Sequence, residues 1–212
     1  MLTDKIKWLG HASFRVDGSK TIYFDPFKID IGKKADIIFI SHKHYDHCSK
    51  DDVNKILKED TKIVTEAESA KILGLENMII VKPYDKFAIN GLEIEALPAY
   101  NVNKPNHPKE NGWLGFLVKM DGITIYHAGD TDLIEEMKKI ETDVALIPVF
   151  PDDKYVMNPK EAAKATFYIK SRVFVPMHYG IIGGSVQDAQ KMKEHANPKC
   201  IVTIMEVQKN SF

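Results

Sequence analysis

The sequence predicts an α/β protein, a four-layer αββα sandwich in which two mixed sheets face each other and helices cover the outside. Three observations predict it. Short β-branched and aromatic runs alternate with helix-like segments, the mark of βαβ units. Turn signals at Asp17-Gly18-Ser19, Asn90-Gly91 and Asp121-Gly122 add antiparallel hairpins, which makes the sheets mixed. The chain also echoes itself. Thr21-Ile22-Tyr23, followed by Asp25 and Ala35-Asp36-Ile37-Ile38, matches Thr124-Ile125-Tyr126, followed by Asp130 and Thr142-Asp143-Val144-Ala145. Two related halves, each a sheet with helices on one side, would pack face to face.

Taken in order, Lys5 to Leu9, Ala12 to Val16 and Thr21 to Phe24 read as an opening meander broken at Gly10-His11 and at the Gly18 turn. Asp25-Pro26 ends the third strand, with Pro26 expected to keep Asp25 extended. Ile37 to Ile40 is wholly apolar and therefore a buried strand. Ser49 caps a helix running through Val53, Ile56 and Leu57. Lys62 to Thr65 is a strand, Glu66 to Leu73 a helix stopped by Gly74, and Met78 to Val81 a strand. Lys86 to Ile89 and Leu92 to Leu97 form a hairpin, as do Leu114 to Lys119 and Ile123 to Tyr126. Between these hairpins, Tyr100 to Gly112 is too long and polar for a plain connector and is a functional candidate. Asp132 to Lys139 has helical character and Val144 to Val149 is an apolar strand. Asn158 caps a helix with Pro159 at its first position, reaching Ile169, and Arg172 to Pro176 is a strand. Ser185 to His195 supplies the last helix and Cys200 to Met205 the last strand.

With 212 residues and 44% hydrophobic content, the chain can bury a substantial core as one domain, or as two half-domains sharing an interface, and we read residues 1–212 as a single domain. A net charge of -1 gives no general pull toward a polyanion, so nucleic acid is not favoured as a partner. No apolar run approaches a membrane span. Met1 to Gly10 carries Asp4, Lys5 and Lys7 and lacks the apolar centre of a signal peptide. Cys48 and Cys200 are too few for a disulfide scaffold and fit a reducing cytoplasm.

The chemistry concentrates in Ser41-His42-Lys43-His44-Tyr45-Asp46-His47, directly after a buried strand, where open α/β sheets place their ligand sites. His42 and His44 can point the same way from an extended segment and share one metal. Asp46 and His47 follow as the chain turns and can reach a second. Asp130 and His178 also lie just past strands, and Gly129 allows the tight turn before Asp130. The two oxygens of Asp130 suit a bridging position, and His178 can complete the second metal beside Asp46 and His47. Taken singly, Gly-Asp-Thr reads as a helix cap and His178 as a surface histidine; their order makes ligands of them.

The pattern H-x-H-x-D-H after a strand, then Gly-Asp, then His, resembles the metallo-β-lactamase superfamily, and Gly10-His11-Ala12-Ser13-Phe14 is similar to an opening of its smaller lactonase-like and phosphodiesterase-like members. The resemblance implies a metallo-β-lactamase-like sandwich and a binuclear metal-dependent hydrolase. In such relatives a further histidine follows the strand at about Ala99, whereas Pro98-Ala99-Tyr100-Asn101 puts Asn101 there. A neutral, hard amide oxygen is a poor zinc ligand. Either His107 swings in from the long loop as the ligand, or the first metal is weakly held. Asp25 reads as an acceptor behind a ligand histidine or as a turn residue before proline, and His11 as a support behind the ligands. His127 is either a donor to them or a core histidine; Cys48 is a small buried residue and His195 faces solvent.

Imidazole and carboxylate ligands without thiolate suit two divalent ions, Zn first, with Mn, Fe or Ni as alternatives. Such a pair, about 3.5 to 4 Å apart, would hold a bridging hydroxide at neutral pH that attacks carbonyl carbon or phosphorus. Asp46 would orient that hydroxide and carry a proton toward the leaving group. The expected substrate is a small soluble ester, lactone or phosphodiester, because the chain has no room for an inserted RNA-processing domain. Lys104 would attract an anionic group if the long loop is a lid; otherwise Trp113 anchors that loop in the core. Tyr179 either packs or donates to a leaving oxygen. Two alternatives stay open: a metal-binding scaffold without turnover, and a diiron oxidoreductase, for whose flavin module no segment exists.

Overall fold

Each sheet is an antiparallel meander that passes into parallel βαβ units. The computed structural model describes residues 3–211. In the first sheet, β1 (Ile6–Gly10), β2 (Ser13–Asp17), β3 (Thr21–Phe24), β4 (Ile37–Phe39), β5 (Lys62–Thr65) and β6 (Met78–Ile80) pair in chain order, with α1 (Lys50–Ile56) after β4 and α2 (Ala67–Leu73) after β5. In the second, β7 (Lys86–Ile89), β8 (Leu92–Pro98), β9 (Leu114–Met120), β10 (Ile123–His127), β11 (Glu141–Pro148), β12 (Lys170–Met177) and β13 (Ile201–Val202) do the same, with α3 (Pro159–Tyr168) after β11 and α4 (Val186–His195) after β12.

The internal echo is a structural equivalence. β3 is antiparallel to β2 and parallel to β4, and β10 is antiparallel to β9 and parallel to β11. The same side chain sets both parallel registers: Thr21 N–H donates to the Asp36 carboxylate at 2.7 Å, and Thr124 N–H to the Asp143 carboxylate at 2.9 Å.

Alternation along the strands builds the layers. Ile22, Phe24, Ile37 and Phe39 point inward to the main core, while Tyr23, Ile38, Ile40 and Ile63 point outward onto Val53 and Ile56 of α1 and Leu73 of α2. Phe24 stacks on Phe39, and Phe39 meets Phe116 of the opposite sheet with ring centroids 5.1 Å apart. Burying each such side chain stabilises the fold by about 1.5–3 kcal/mol. The helix caps are as expected: Ser49 accepts from Asp52 N–H, Gly74 closes α2 in the left-handed conformation, and Asn158 with Glu161 forms a capping box on α3. No helix among the described residues is long and apolar enough to cross a membrane.

Three expectations are corrected. Asp132 to Lys139 holds only a 3-10 turn over Glu135–Lys139, because the Asp132 carboxylate accepts from Asn101, Val102 and Lys104 and is not free to start a helix. Cys200 to Met205 contributes only two strand residues, after which the chain crosses to the first sheet, where Gln208 N–H donates to Trp8 O at 2.8 Å. Asp25 is not extended: its φ is 41°, and its N–H donates to Phe39 O while its carboxylate is held by the metal-loop segment. Those bonds outweigh the backbone preference before proline.

Candidate metal centre

The carboxyl ends of β1, β3, β4, β8, β10 and β12 lie along one edge of the sandwich, and every candidate side chain sits just beyond them. Backbone bonds between the sheets close this edge. Leu114 N–H donates to Ser41 O at 3.0 Å, and His178 N–H to His11 O at 2.9 Å. Gly129, at φ 62°, passes so close that a Cβ there would lie 2.4 Å from Leu114 O. His11, Asp25 and His178 also have positive φ, 51°, 41° and 69°. Each such conformation costs on the order of 1–3 kcal/mol, and three of them at one edge make it the candidate functional site.

Three groups of side chains each bring their ligand atoms within 4.8 Å of one another: His42, His44 and His107; His11, Asp46, His47 and His178; and His42, His47 and Asp130. Asp130 lies between the others, 3.3 Å from His47 Nε2, 3.3 Å from His107 Nε2, 3.1 Å from His178 Nε2 and 3.9 Å from His42 Nε2. Ligands about 2.0–2.1 Å from a tetrahedral Zn stand roughly 3.4 Å apart, so these separations fit metal ligation.

The hydrogen bonds behind the ring assign the tautomers. Ser41 Oγ donates to Asp25 at 2.6 Å, so it accepts from His42 Nδ1 at 2.9 Å. His47 Nδ1 donates to the same Asp25 carboxylate at 2.7 Å. His107 Nδ1 donates to Asn101 Oδ1 at 3.1 Å. In all three rings the outer nitrogen is thereby protonated, leaving the Nε2 lone pair for the cluster. His47 Nε2, His107 Nε2, His178 Nε2 and Asp130 Oδ1 are buried without a hydrogen-bond partner. Such orphaned atoms, all aimed at one another, fit a bound cation.

The electrostatics agree. Burial and the neighbouring His47 hold His42 well below its ordinary pKa, keeping it a neutral ligand. Burial opposes charge on His47 as well, yet the Asp130 and Asp25 carboxylates hold it well above the ordinary value. That point of the cluster favours positive charge, whether proton or metal ion. Burial works against the Asp130 charge, but His178 and His47 keep its carboxyl well below the usual range. Asp46 is similarly pulled down to about 2, against burial, by its 3.0 Å bond from His11 and by His47.

The structure brings His42, His44, Asp46, His47, Asp130 and His178 together in the cluster, with His11 beside Asp46 in the same group, Asp25 bonded behind His47, and His195 exposed on α4. The two candidates in the long loop part company. His107 enters the cluster, whereas Asn101 bonds to His107 and Asp132 and offers it no atom. Lys104 is not a free anion-binding group, since its ammonium is fixed by Asp132 and by Val156 O at 2.8 Å. Trp113 is in the core, its ring beside His42 and His44. His127 is a core histidine: it donates to Ala12 O, accepts from Gly129 N–H and stacks on Phe24. Tyr179 packs on Trp8, and Cys48 is buried, its thiol pushed up to about 11. Sequence reasoning missed Ser41 and Asp132, whose partners lie on other loops, and the cleft walls Phe150, Tyr155 and Ile182.

A two-sheet sandwich with a histidine–aspartate cluster at the strand ends is the arrangement of the metallo-β-lactamase fold. The family model described as the beta-lactamase superfamily domain matches residues 5–178, and the chain belongs to that superfamily. It is 34% identical to a UPF0173 metal-dependent hydrolase of Thermococcus kodakarensis, covering 95% of this chain and 96% of the relative. A crystal structure from Parabacteroides distasonis, of a protein taken to be a metal-dependent hydrolase, superposes with a TM-score of 0.85 at 32% identity, covering 96% of this chain and 93% of that one. Igni18, a metallo hydrolase of Ignicoccus hospitalis, superposes with a TM-score of 0.76 at 25% identity, covering 95% and 94%.

Proposed function

We propose that this protein holds two divalent ions, Zn before Mn, Fe or Ni, and hydrolyses a small ester, lactone or phosphodiester. The observation that carries the reading is the set of buried, unpartnered ligand atoms on His47, His107, His178 and Asp130. His42, His44 and His107 would hold one ion and Asp46, His47 and His178 the other, with Asp130 shared. Bound there, such ions supply Lewis acidity and bring the pKa of water near neutrality.

The chain's own residues do the rest. Asp25 and Ser41 orient His47 and His42, and Asn101 orients His107, so the ligand nitrogens are fixed before any ion binds. Asp46 is the most exposed carboxylate of the cluster, its side chain 14% accessible, and it lines the cleft. Steadied by His11, it would accept a proton from water and pass it to the leaving group. The free thiols of Cys48 and Cys200 support a reducing, cytoplasmic setting.

Elemental analysis after purification without chelator and resupply of Zn or Mn is expected to give two ions per chain. Turnover of an activated ester or phosphodiester should disappear with chelator and return with metal. Asp46→Ala should lower turnover by roughly 10²-fold or more, and the metal content measured beside it separates loss of a ligand from loss of the proton carrier. A protein that takes up no metal would sink the reading.

A further inference from the structure

Above the cluster lies a cleft of ≈ 260 Å³, below the roughly 300–1,000 Å³ of sites for drug-sized molecules. Its floor is the metal-ligand set. Its walls are Tyr45, Phe150, Tyr155 and Ile182, with Asn106 as the single amide. Phe150 packs edge-on against Tyr155 at 5.4 Å and reaches His178 at 6.1 Å, so the aromatic wall runs down to the cluster.

Among the described residues, no lysine or arginine lines this cleft. The nearby cations are committed elsewhere. Lys104 is bound to Asp132, Lys43 pairs with Glu68 and Lys28 lies over the ring of Phe27, while Lys154, which is not among the lining residues, covers the ring of Tyr155 at the rim. One N–H of Asn106 is spent on Lys154 O at 2.7 Å.

We infer that this cleft takes the apolar side of a small uncharged carboxylic ester or lactone and not a phosphodiester, an inference that rests on the hydrolase reading above. A phosphodiester spreads its charge over two oxygens. If the cluster takes one, the other needs a cation or a set of donors, and the walls provide no cation and only one remaining Asn106 N–H beside the Tyr45 and Tyr155 hydroxyls; leaving it against Phe150 and Ile182 is unfavourable. A neutral ester presents one carbonyl oxygen to the cluster and its hydrocarbon to the walls, where each buried methylene tightens binding about three- to fourfold.

The test uses the metal-loaded protein, with p-nitrophenyl esters of increasing acyl length and bis-p-nitrophenyl phosphate, which share a leaving group. Each rate is divided by its uncatalysed rate. The expected result is a greater enhancement for the esters, a KM falling about threefold per methylene until the cleft is full, and loss of that trend in Tyr155→Ala at unchanged metal content. Ile182→Lys, at a position 42% exposed, should move the preference at least tenfold toward the phosphodiester. Saturation-transfer NMR supplies a readout apart from turnover: 2-hexanone should bind the wild-type cleft and diethyl phosphate should not. Chelator-sensitive turnover that favours the phosphodiester, or a KM indifferent to acyl length, would overturn the inference while leaving the hydrolase intact. Turnover of neither substrate with two ions bound would overturn both.

Discussion

Asn101 shows how a residue that offers the cluster no atom can shape a candidate metal site. Its Oδ1 accepts from both the backbone N–H and Nδ1 of His107, each at 3.1 Å, while its Nδ2 donates to Asp132 at 3.0 Å and to Tyr155 O at 2.9 Å. All its bonding capacity is spent on aiming one imidazole and tying it to the cleft wall. Asn101→Ala should therefore lower the affinity for one of two ions by about 10- to 100-fold, the usual effect of removing the partner behind a ligand, as chelator competition would measure. Unchanged affinity for both ions would show that His107 needs no such support. The sequence carried the ligand candidates, because H-x-H-x-D-H, Gly-Asp and the late histidine each follow a strand. It also raised His107, since an amide stood where a ligand was expected. What it could not carry was the clamp, whose anchor Asp132 lies 31 positions beyond Asn101.

The paired aspartates Asp36 and Asp143 act at the level of whole elements. Each fastens the start of a parallel strand to the N–H of a threonine at the start of the strand beside it, Thr21 the first residue of β3 and Thr124 the second of β10, so each fixes a register that a one-residue slip would invert. Burial works against ionisation of Asp36, but Lys58 and Thr21 N–H outweigh it and hold its carboxyl below the ordinary 3.8. A depressed folded pKa means the contribution is fully present above 3.8 and fades as pH falls through the lower folded value. Asp36→Ala is expected to cost about 1 kcal/mol in urea denaturation at neutral pH, and the gap to wild type should close in strong acid. A pH-independent gap would refute the assignment. Alternating apolar strands, hairpin turns and capped helices were legible because their causes are local. The segment from Asp132 to Lys139 misled because a distant loop claims the residue that would have capped a helix, and Cys200 to Met205 because the chain leaves its sheet for the other one.

At the scale of the molecule, the two sheets are joined beyond the site edge by the stretch after β13, which runs from the second sheet to the first and ends over a buried charge. Arg15 is 1% exposed. Its guanidinium donates to Asp17 at 3.1 Å, to Asn210 Oδ1 at 2.7 Å and to Ser211 O at 2.7 Å. Asn210, itself 3% exposed, also accepts from the Tyr23 hydroxyl at 3.0 Å and donates to Asp30 O at 2.9 Å. Nothing local signals this lock, because Arg15 and Asn210 are 195 positions apart. Removing the amide leaves a buried cation short of a partner, while the Tyr23 hydroxyl keeps Lys33 O at 2.6 Å, so Asn210→Ala should destabilise by about 1–3 kcal/mol, far more than an ordinary tail substitution. Replacing both partners with apolar groups removes the unmet demand. Arg15→Met with Asn210→Leu should therefore cost less than the sum of the single changes, since a buried charge stripped of its partner is worse than a packed hydrocarbon. Strict additivity in denaturant melts would mean that the tail merely lies over Arg15; a cost for Asn210→Ala within about 0.5 kcal/mol would mean that it does not hold the sheets together at all.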